Sequence, residues 1–227
     1  MTAGPPEPAS VGAMTDQTHS DPAIDSEYWA RYYEVTVERP PWATVRKAIE
    51  LFAAEDAAAG AHSPRFAVDL GCGAGRDSRE LLRAGWRVLS MDREQHGLDV
   101  LRAAAGPELG ARLETRQGEF ASFQVPRCDL VNASLCLPFV DPPVFEAMWA
   151  RIVGALPAGG RFSAMVFGDH DDSAGEDGVT CLPGARFREL LDGFEIEHWS
   201  DTEEDTKTAL GEPHHFHLIE LVARKLA

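Results

Sequence analysis

The stretch Asp69-Leu70-Gly71-Cys72-Gly73-Ala74-Gly75 decides how this chain folds. An apolar run, Phe66-Ala67-Val68-Asp69-Leu70, leads into it, and a helical pattern over Asp77–Ala84 leads out. Glycines let the backbone turn sharply and let a ligand approach the main chain. Between a strand and a helix they mark the first βα turn of a nucleotide-binding, doubly wound sheet. A dinucleotide site wants G-x-G-x-x-G, whose third glycine allows close helix packing beside a pyrophosphate. Counted from Gly71, that position is Arg76, and the stretch reads D-x-G-x-G-x-G instead. The acid Asp69, at the strand's C-terminal end, repels a pyrophosphate and suits a ligand carrying an amino group and a sulfonium. A second acid, Asp92, ends the next strand. It falls about 20 residues after the first glycine, where a carboxylate accepts both ribose hydroxyls of an adenosine.

Outward from the loop, strands and helices alternate. Strands are expected at Trp86–Met91, Arg112–Gln117, Asp129–Ala133 and Arg161–Phe167, with helices at Glu94–Ala105, Pro142–Leu156 and Ala185–Leu191. Phe194–Trp199 and His215–Ala223 are the last strands. Nothing helical separates them, so they are expected to form an antiparallel pair. Alternating βα units imply an α/β fold, a mostly parallel sheet covered by helices on both faces. The acidic stretches Asp169–Asp172 and Asp201–Asp205 fall between elements and read as solvated loops. Asp141 reads as the N-cap of a helix, with Pro142 in its first turn. Residues 1–24 are rich in Pro, Ala, Gly, Ser and Thr and read as a disordered tail. Residues 25–60 read as two helices, the first carrying Tyr28, Trp29, Tyr32 and Tyr33, and residues 61–227 as the core domain.

Lys and Arg total 21 against 37 Asp and Glu, a formal net charge of −16. Phosphate backbones and anionic membranes are bound through Lys and Arg, so nucleic acid and membrane partners are disfavoured. With 44% hydrophobic residues the chain is not disordered as a whole. Cys72, Cys128, Cys136 and Cys181 show no C-x-x-C spacing, and no apolar segment precedes Arg31, the first positive side chain. Reduced thiols in a cytoplasmic protein are the expectation.

With D-x-G-x-G-x-G and Asp92 in place, the chain resembles class I S-adenosylmethionine-dependent methyltransferases. Gly71–Ser78 (GCGAGRDS) resembles the loop of the tellurite-resistance-type bacterial small-molecule enzymes. The run from Glu203 through His215-Phe216-His217 to Lys225 is similar to the end of such chains. The resemblance implies the doubly wound, seven-stranded Rossmann-like methyltransferase fold with an antiparallel last strand, and S-adenosyl-L-methionine as cofactor. It implies that Asp69, Gly71, Cys72, Gly73 and Gly75 line the methionine part, and that Asp92 and Arg93 flank the ribose and adenine. It also implies that Glu119 and Phe120 hold the adenine, and that Asn132 and Ser134 face the methyl end.

The acceptor is less legible. Enzymes that methylate amides and bases carry N-P-P-aromatic after the fourth strand, and here the chain reads Asn132-Ala133-Ser134-Leu135. A small-molecule acceptor is therefore expected, with nucleic acid disfavoured again and the oligomeric state open. Soft acceptors need no base, whereas hydroxyls and activated carbons gain from one. His170, His215 and His217 are the candidate bases. His215 and His217 share a strand face, but no spaced partner completes a zinc set, and no metal is assigned. Tyr28, Trp29, Tyr33 and Arg39 are candidates for a lid whose aromatic faces attract a sulfonium. A module that binds the cofactor without catalysis, as scaffold or regulator, stands as the alternative function.

Overall fold

The computed structural model describes residues 22–60, 64–176 and 178–227. The expected tail lies outside these residues except for its last three, which open a helix. In chain order the elements are α1 (Pro22–Thr36), α2 (Ala43–Ala59), β1 (Phe66–Leu70), α3 (Arg76–Arg83), β2 (Arg87–Asp92), α4 (Gln95–Gly110), β3 (Leu113–Gln117) and β4 (Leu130–Ser134). A 3₁₀ turn (Leu137–Phe139) follows, then α5 (Pro142–Ala155), β5 (Arg161–Phe167), α6 (Gly184–Leu190), β6 (Phe194–Lys207) and β7 (Pro213–Lys225). The seven strands lie in the order β3-β2-β1-β4-β5-β7-β6. β1 to β5 run parallel, and β7 enters antiparallel to both β5 and β6. Strand order reverses between β1 and β4. An open α/β sheet binds ligands in the crevice outside the carboxyl ends of its strands at such a point.

β1 and β5 are almost wholly buried, which explains why they read as apolar runs without a polar face. The larger core cluster packs α5 and α6 on one side of the sheet, with Trp149 set edge-on to Phe162. α2 and α3 form a second cluster through Val45, Phe52, Leu81 and Leu82. α4 kinks at Gly106, whose φ of 63° precedes Pro107. The tolerance of glycine for positive φ lets the chain bend there.

Two expectations fail in the last hairpin. β6 runs on to Lys207 and β7 starts at Pro213, so both strands far exceed the expected spans. The acidic stretch Asp201–Asp205 is not a loop. Its residues pair with Ile219 to His215, and the alternation of a strand puts Asp201, Glu203 and Asp205 on one face. Asp171 is not solvated either. Only 2% exposed, it accepts from the His217 and Ser173 backbone N–H groups and pairs with His214. Asp141 does stand at the N-cap of α5, but its side chain makes no capping bond.

Arg161, 1% exposed at the start of β5, ties the layers together. It forms two-pronged pairs with Glu55 on α2 (2.8 and 2.9 Å) and Glu197 on β6 (2.6 and 2.9 Å). Its guanidinium also lies 4.2 Å from the centre of the Phe52 ring. This cluster sits at the opposite end of the sheet from Asp69 and Asp92. Removing one partner of a buried pair strands the others. Arg161→Ala is expected to lower the urea unfolding free energy by about 3 kcal/mol, with ligand binding at the carboxyl end of the sheet unchanged. Equal urea midpoints for variant and wild type would show that the cluster is not a stabilising tie.

Candidate cofactor and acceptor site

The glycine loop turns at the end of β1 with Gly71, Gly73 and Gly75 at φ of 58°, 51° and 76°. Larger side chains are disfavoured there both by conformation and by space. A Cβ on Gly71 would stand 2.3 Å from the Cys136 Cβ, and one on Gly73 would stand 2.9 Å from the Tyr33 ring. Asp92, 5% exposed, closes the loop from the side. Its Oδ2 accepts from the Gly73 N–H (2.7 Å), and its Oδ1 accepts from the Glu94 N–H (2.9 Å) and the Tyr33 hydroxyl (3.3 Å). Burial, above all, raises the Asp92 pKa, while the two backbone donors and Tyr33 oppose the rise. Arg93 turns its side chain to Glu94.

Beneath the loop lies a polar network that the sequence did not announce. Asn132, fully buried, donates through Nδ2 to Asp69 Oδ1 (2.8 Å) and to Asp77 Oδ2 (3.1 Å), and its Oδ1 accepts from Ser163. Ser78 donates to the other Asp69 oxygen and Ser134 to Asp77 Oδ2. The remaining Asp77 oxygen accepts from the Trp42 N–H at 2.9 Å. These donors to the two acids are all uncharged. Burial first, and then the Asp77 carboxylate, push Asp69 up to about 7, against the pull of Ser78 and Asn132. Asn132 and Ser134 were expected to face the methyl end of a cofactor. Asn132 instead spends its polar atoms on this network and acts through the two acids, while Ser134 is only partly buried. Asp77 was missed because an acid in a helix's first turn has an ordinary reason to be there, the helix dipole.

Glu119 and Phe120 were expected on the adenine side. Phe120 lies within 3.4 Å of the position a Gly71 Cβ would take, and Glu119 is exposed. Arg151 on α5, also missed, holds this loop by donating to the carbonyls of Phe120 (2.8 Å), Ala121 (3.1 Å) and Phe123 (2.8 Å). On the opposite side α1 covers the site. Tyr33, 4% exposed, lies between Gly73 and Asp92, and Trp29 stacks on it at 6.2 Å between centroids. Tyr28 is 41% exposed, and burial of the remainder raises its pKa, followed by Tyr32 and by Glu212 of the β6–β7 turn. Arg39 is exposed, and its charge acts on Tyr32. The α1–α2 linker is pinned by the first turns of α3: Arg76 donates to the Pro40 carbonyl and lies over the Trp42 ring, and Arg79 donates to the Val37 carbonyl.

The three candidate histidines gather at the end of the last hairpin in different states. His217, 5% exposed, accepts the His170 backbone N–H at Nδ1 (3.0 Å), so its Nε2 carries the proton and donates to Asp201 (2.8 Å). Both nitrogens are spent, and a buried base role is closed to it. His170 and His215 reach solvent. His170 Nδ1 lies 2.9 Å from Glu203, and His215 Nδ1 lies 2.7 Å from Asp205. These carboxylates raise both histidine pKa values, which favours the cation over the free base. Donor atoms of His170, Glu203 and His217 also lie within 4.8 Å of one another, a spacing open to a metal ion. A ligating histidine usually donates its other N–H outward. His217 Nδ1 faces a donor, so its Nε2 has no lone pair to offer in this arrangement. All four cysteines are free thiols; burial holds Cys72 and Cys136 well above the usual thiol range and Cys128 at about 12.

Residues 67–160 match the family model for the methyltransferase domain. That span runs from β1 to the threshold of β5, the half of the sheet that holds the glycine loop, Asp92 and Asn132. No curated protein matches the chain in sequence. Among solved structures, TehB from Haemophilus influenzae is similar with a TM-score of 0.62 and 20% identity, over 77% of this chain and 62% of that one. This chain thus spans less than two thirds of TehB. The Burkholderia thailandensis 1,6-didemethyltoxoflavin-N1-methyltransferase, solved with 1,6-didemethyltoxoflavin and S-adenosylhomocysteine, gives 0.60 and 22% over 96% of this chain and 94% of that one. The [4+2]-cyclase SpnF gives 0.58 and 17% over 83% and 85%. These likenesses establish the fold, and over residues 67–160 the chain is similar to the methyltransferase domain.

Proposed function

We propose that this chain transfers a methyl group from S-adenosylmethionine to a small molecule. The observation that carries the reading is the pair formed by the glycine loop and Asp92: a backbone cradle that a Cβ would fill, beside a carboxylate whose Oδ2 accepts from Gly73 in the loop while its Oδ1 accepts from the Glu94 N–H and the Tyr33 hydroxyl. When bound, the cofactor supplies a methyl on a sulfonium, which passes to an acceptor lone pair while the broken C–S bond leaves its electrons on sulfur. Asp92 would hold the ribose hydroxyls, and Phe120 would pack on the adenine, with Glu119 and Arg93 at its edge. Asp69 and Asp77 set a negative field under the loop, which favours a cationic methionine end. α1 then excludes water from the methyl group, and alignment of nucleophile, methyl and sulfur supplies most of the rate.

His217 is a positioning residue in this reading, locking the 168–171 loop to β7. His170 and His215 are left as polar groups for an acceptor to touch. The acidic surface disfavours nucleic acid acceptors and anionic membranes, and no described helix is long and apolar enough to cross a bilayer. A cytoplasmic setting fits the four free thiols. A binding module without catalysis is separated from this reading by turnover to S-adenosylhomocysteine.

Asp92→Ala removes an acceptor for two hydroxyls. Calorimetry should show cofactor affinity falling about ten- to a hundredfold, and equal affinities would remove the assignment. A chain lacking residues 1–21 should keep wild-type turnover, whereas one lacking residues 1–39 should lose at least tenfold; equal rates would leave α1 with no role in catalysis.

Asp69 has a folded pKa of about 7, above its ordinary value of 3.8. Its contribution to stability is present below about pH 4 and is lost as pH rises through 7. The melting temperature of the ligand-free protein should therefore fall between pH 5 and 8. Asp69→Asn should flatten that slope, leaving the parts due to Asp92, His170 and His215, whose raised pKa values act in the same direction. A slope unchanged by the substitution would show that Asp69 ionises normally.

A further inference from the structure

The acceptor side is built from the half of the sheet outside the family match, and its rim is aromatic. Trp29 on α1 meets Phe139 edge-on at 5.4 Å, Phe139 meets Phe167 at 5.7 Å, and Phe167 lies 6.4 Å from Phe216, which packs on His214 at 4.3 Å. Four separate segments thus deliver rings to one place: the lid helix, the 3₁₀ turn after β4, the end of β5 and the start of β7. Phe139 and Tyr28 are each 41% exposed, so part of each ring is open at this rim. A small recess behind Phe167, lined by Leu137, Val166, Leu182 and Phe187, is apolar as well.

The rim is joined directly to the glycine loop. Leu135 takes φ of 53°, the positive-φ residue other than glycine among those described. That conformation is strained for a residue with a side chain and persists only where the surroundings impose it. It turns the chain so that Cys136 packs against Gly71 and Phe139 emerges three residues later at the surface. The surface next to the cofactor loop on the acceptor side is therefore aromatic.

Its charge is equally definite. Glu204 stands opposite Phe216 in the β6–β7 pairing and so shares its face, Asp171 holds His214 beside it, and Glu212 is close enough to Tyr28 to act on it. Asp201, Glu203 and Asp205 line the other face of the hairpin, where they hold His217, His170 and His215. Recognition of an oxyanion needs converging Arg, Lys or N–H donors, and this rim presents carboxylates instead. Resting on the methyltransferase reading, we propose that the methyl acceptor is a planar aromatic molecule, uncharged or cationic, held against Trp29, Phe139, Phe167 and Phe216, and that oxyanions are not its substrates.

The test is calorimetric titration of the full chain saturated with S-adenosylhomocysteine. The probes are 2-naphthol, quinoline and 2-naphthalenethiol as planar molecules, and tellurite as the oxyanion. At least one planar probe should bind saturably and tellurite should not. In Phe139→Ala, with an unchanged urea midpoint confirming the fold, the planar probe should bind at least tenfold more weakly, with S-adenosylhomocysteine affinity within twofold of wild type. Saturable tellurite binding, no binding of any planar probe, or equal binding by wild type and Phe139→Ala would each overturn the proposal. Failure of S-adenosylhomocysteine itself to bind would instead bring down the methyltransferase reading, and the acceptor proposal with it.

Discussion

One amide holds two buried carboxylates, and the site depends on it. The Asn132 side chain gives one hydrogen to Asp69 and the other to Asp77. Asp69 ends β1 and Asp77 begins α3, so the amide fixes the two sides of the glycine turn relative to β4, and through Ser163 to β5. Asp77 then reaches the Trp42 backbone, which anchors the linker of the lid helix. Two like charges in a low-dielectric interior repel, and uncharged donors offset only part of that cost. The free protein answers by raising the Asp69 pKa. A bound cation would answer more completely. The arrangement that makes the site unfavourable when empty is the one that gives it a preference for a positively charged ligand.

Much of this was legible in the sequence, for a definite reason. β1 and β5 fall on Phe66–Leu70 and Arg161–Phe167, the spans that the sequence predicts, because central strands buried on both faces carry mostly apolar residues and have no solvated face to blur their ends. The glycine loop and Asp92 stand out because few backbones need three positive-φ residues in a row of five. The hairpin was misjudged because its outer portion is polar on both faces. Asp201, Glu203 and Asp205 alternate with Thr202, Glu204 and Thr206, so periodicity carries no hydrophobic signal, and the histidines that partner the acids lie a full strand away. Arg161, Arg151 and Asp77 were invisible for the same reason. A charged residue becomes structural only through partners distant in the chain, and a single sequence does not show distance in space.

The histidines show how far type and spacing can mislead. His215 and His217 do share a face, and His170 does come beside them, yet the three differ in what they can do. The His170 backbone N–H settles the tautomer of His217 and with it the fate of the apparent metal set. A base must have a lone pair directed at its substrate, and His217 has given its own to the main chain. What remains is a tie that closes the loop after β5 onto β7, so that the end of β5, where Phe167 stands, is held in place.

The molecule divides along the β4–β5 boundary. On one side the cofactor half is constrained by chemistry that does not vary: a turn too tight for a side chain, a ribose with two hydroxyls, a sulfonium that carries charge. That is the half a family model matches. On the other side, in the proposed reading, β5, β6 and β7 with α1 would meet the acceptor, and nothing about the methyl donor dictates their residues. An acidic, aromatic rim is one answer among many that this scaffold permits. It follows that the donor is read from the glycine loop, and the acceptor from the rings and charges that the rest of the sheet gathers around it.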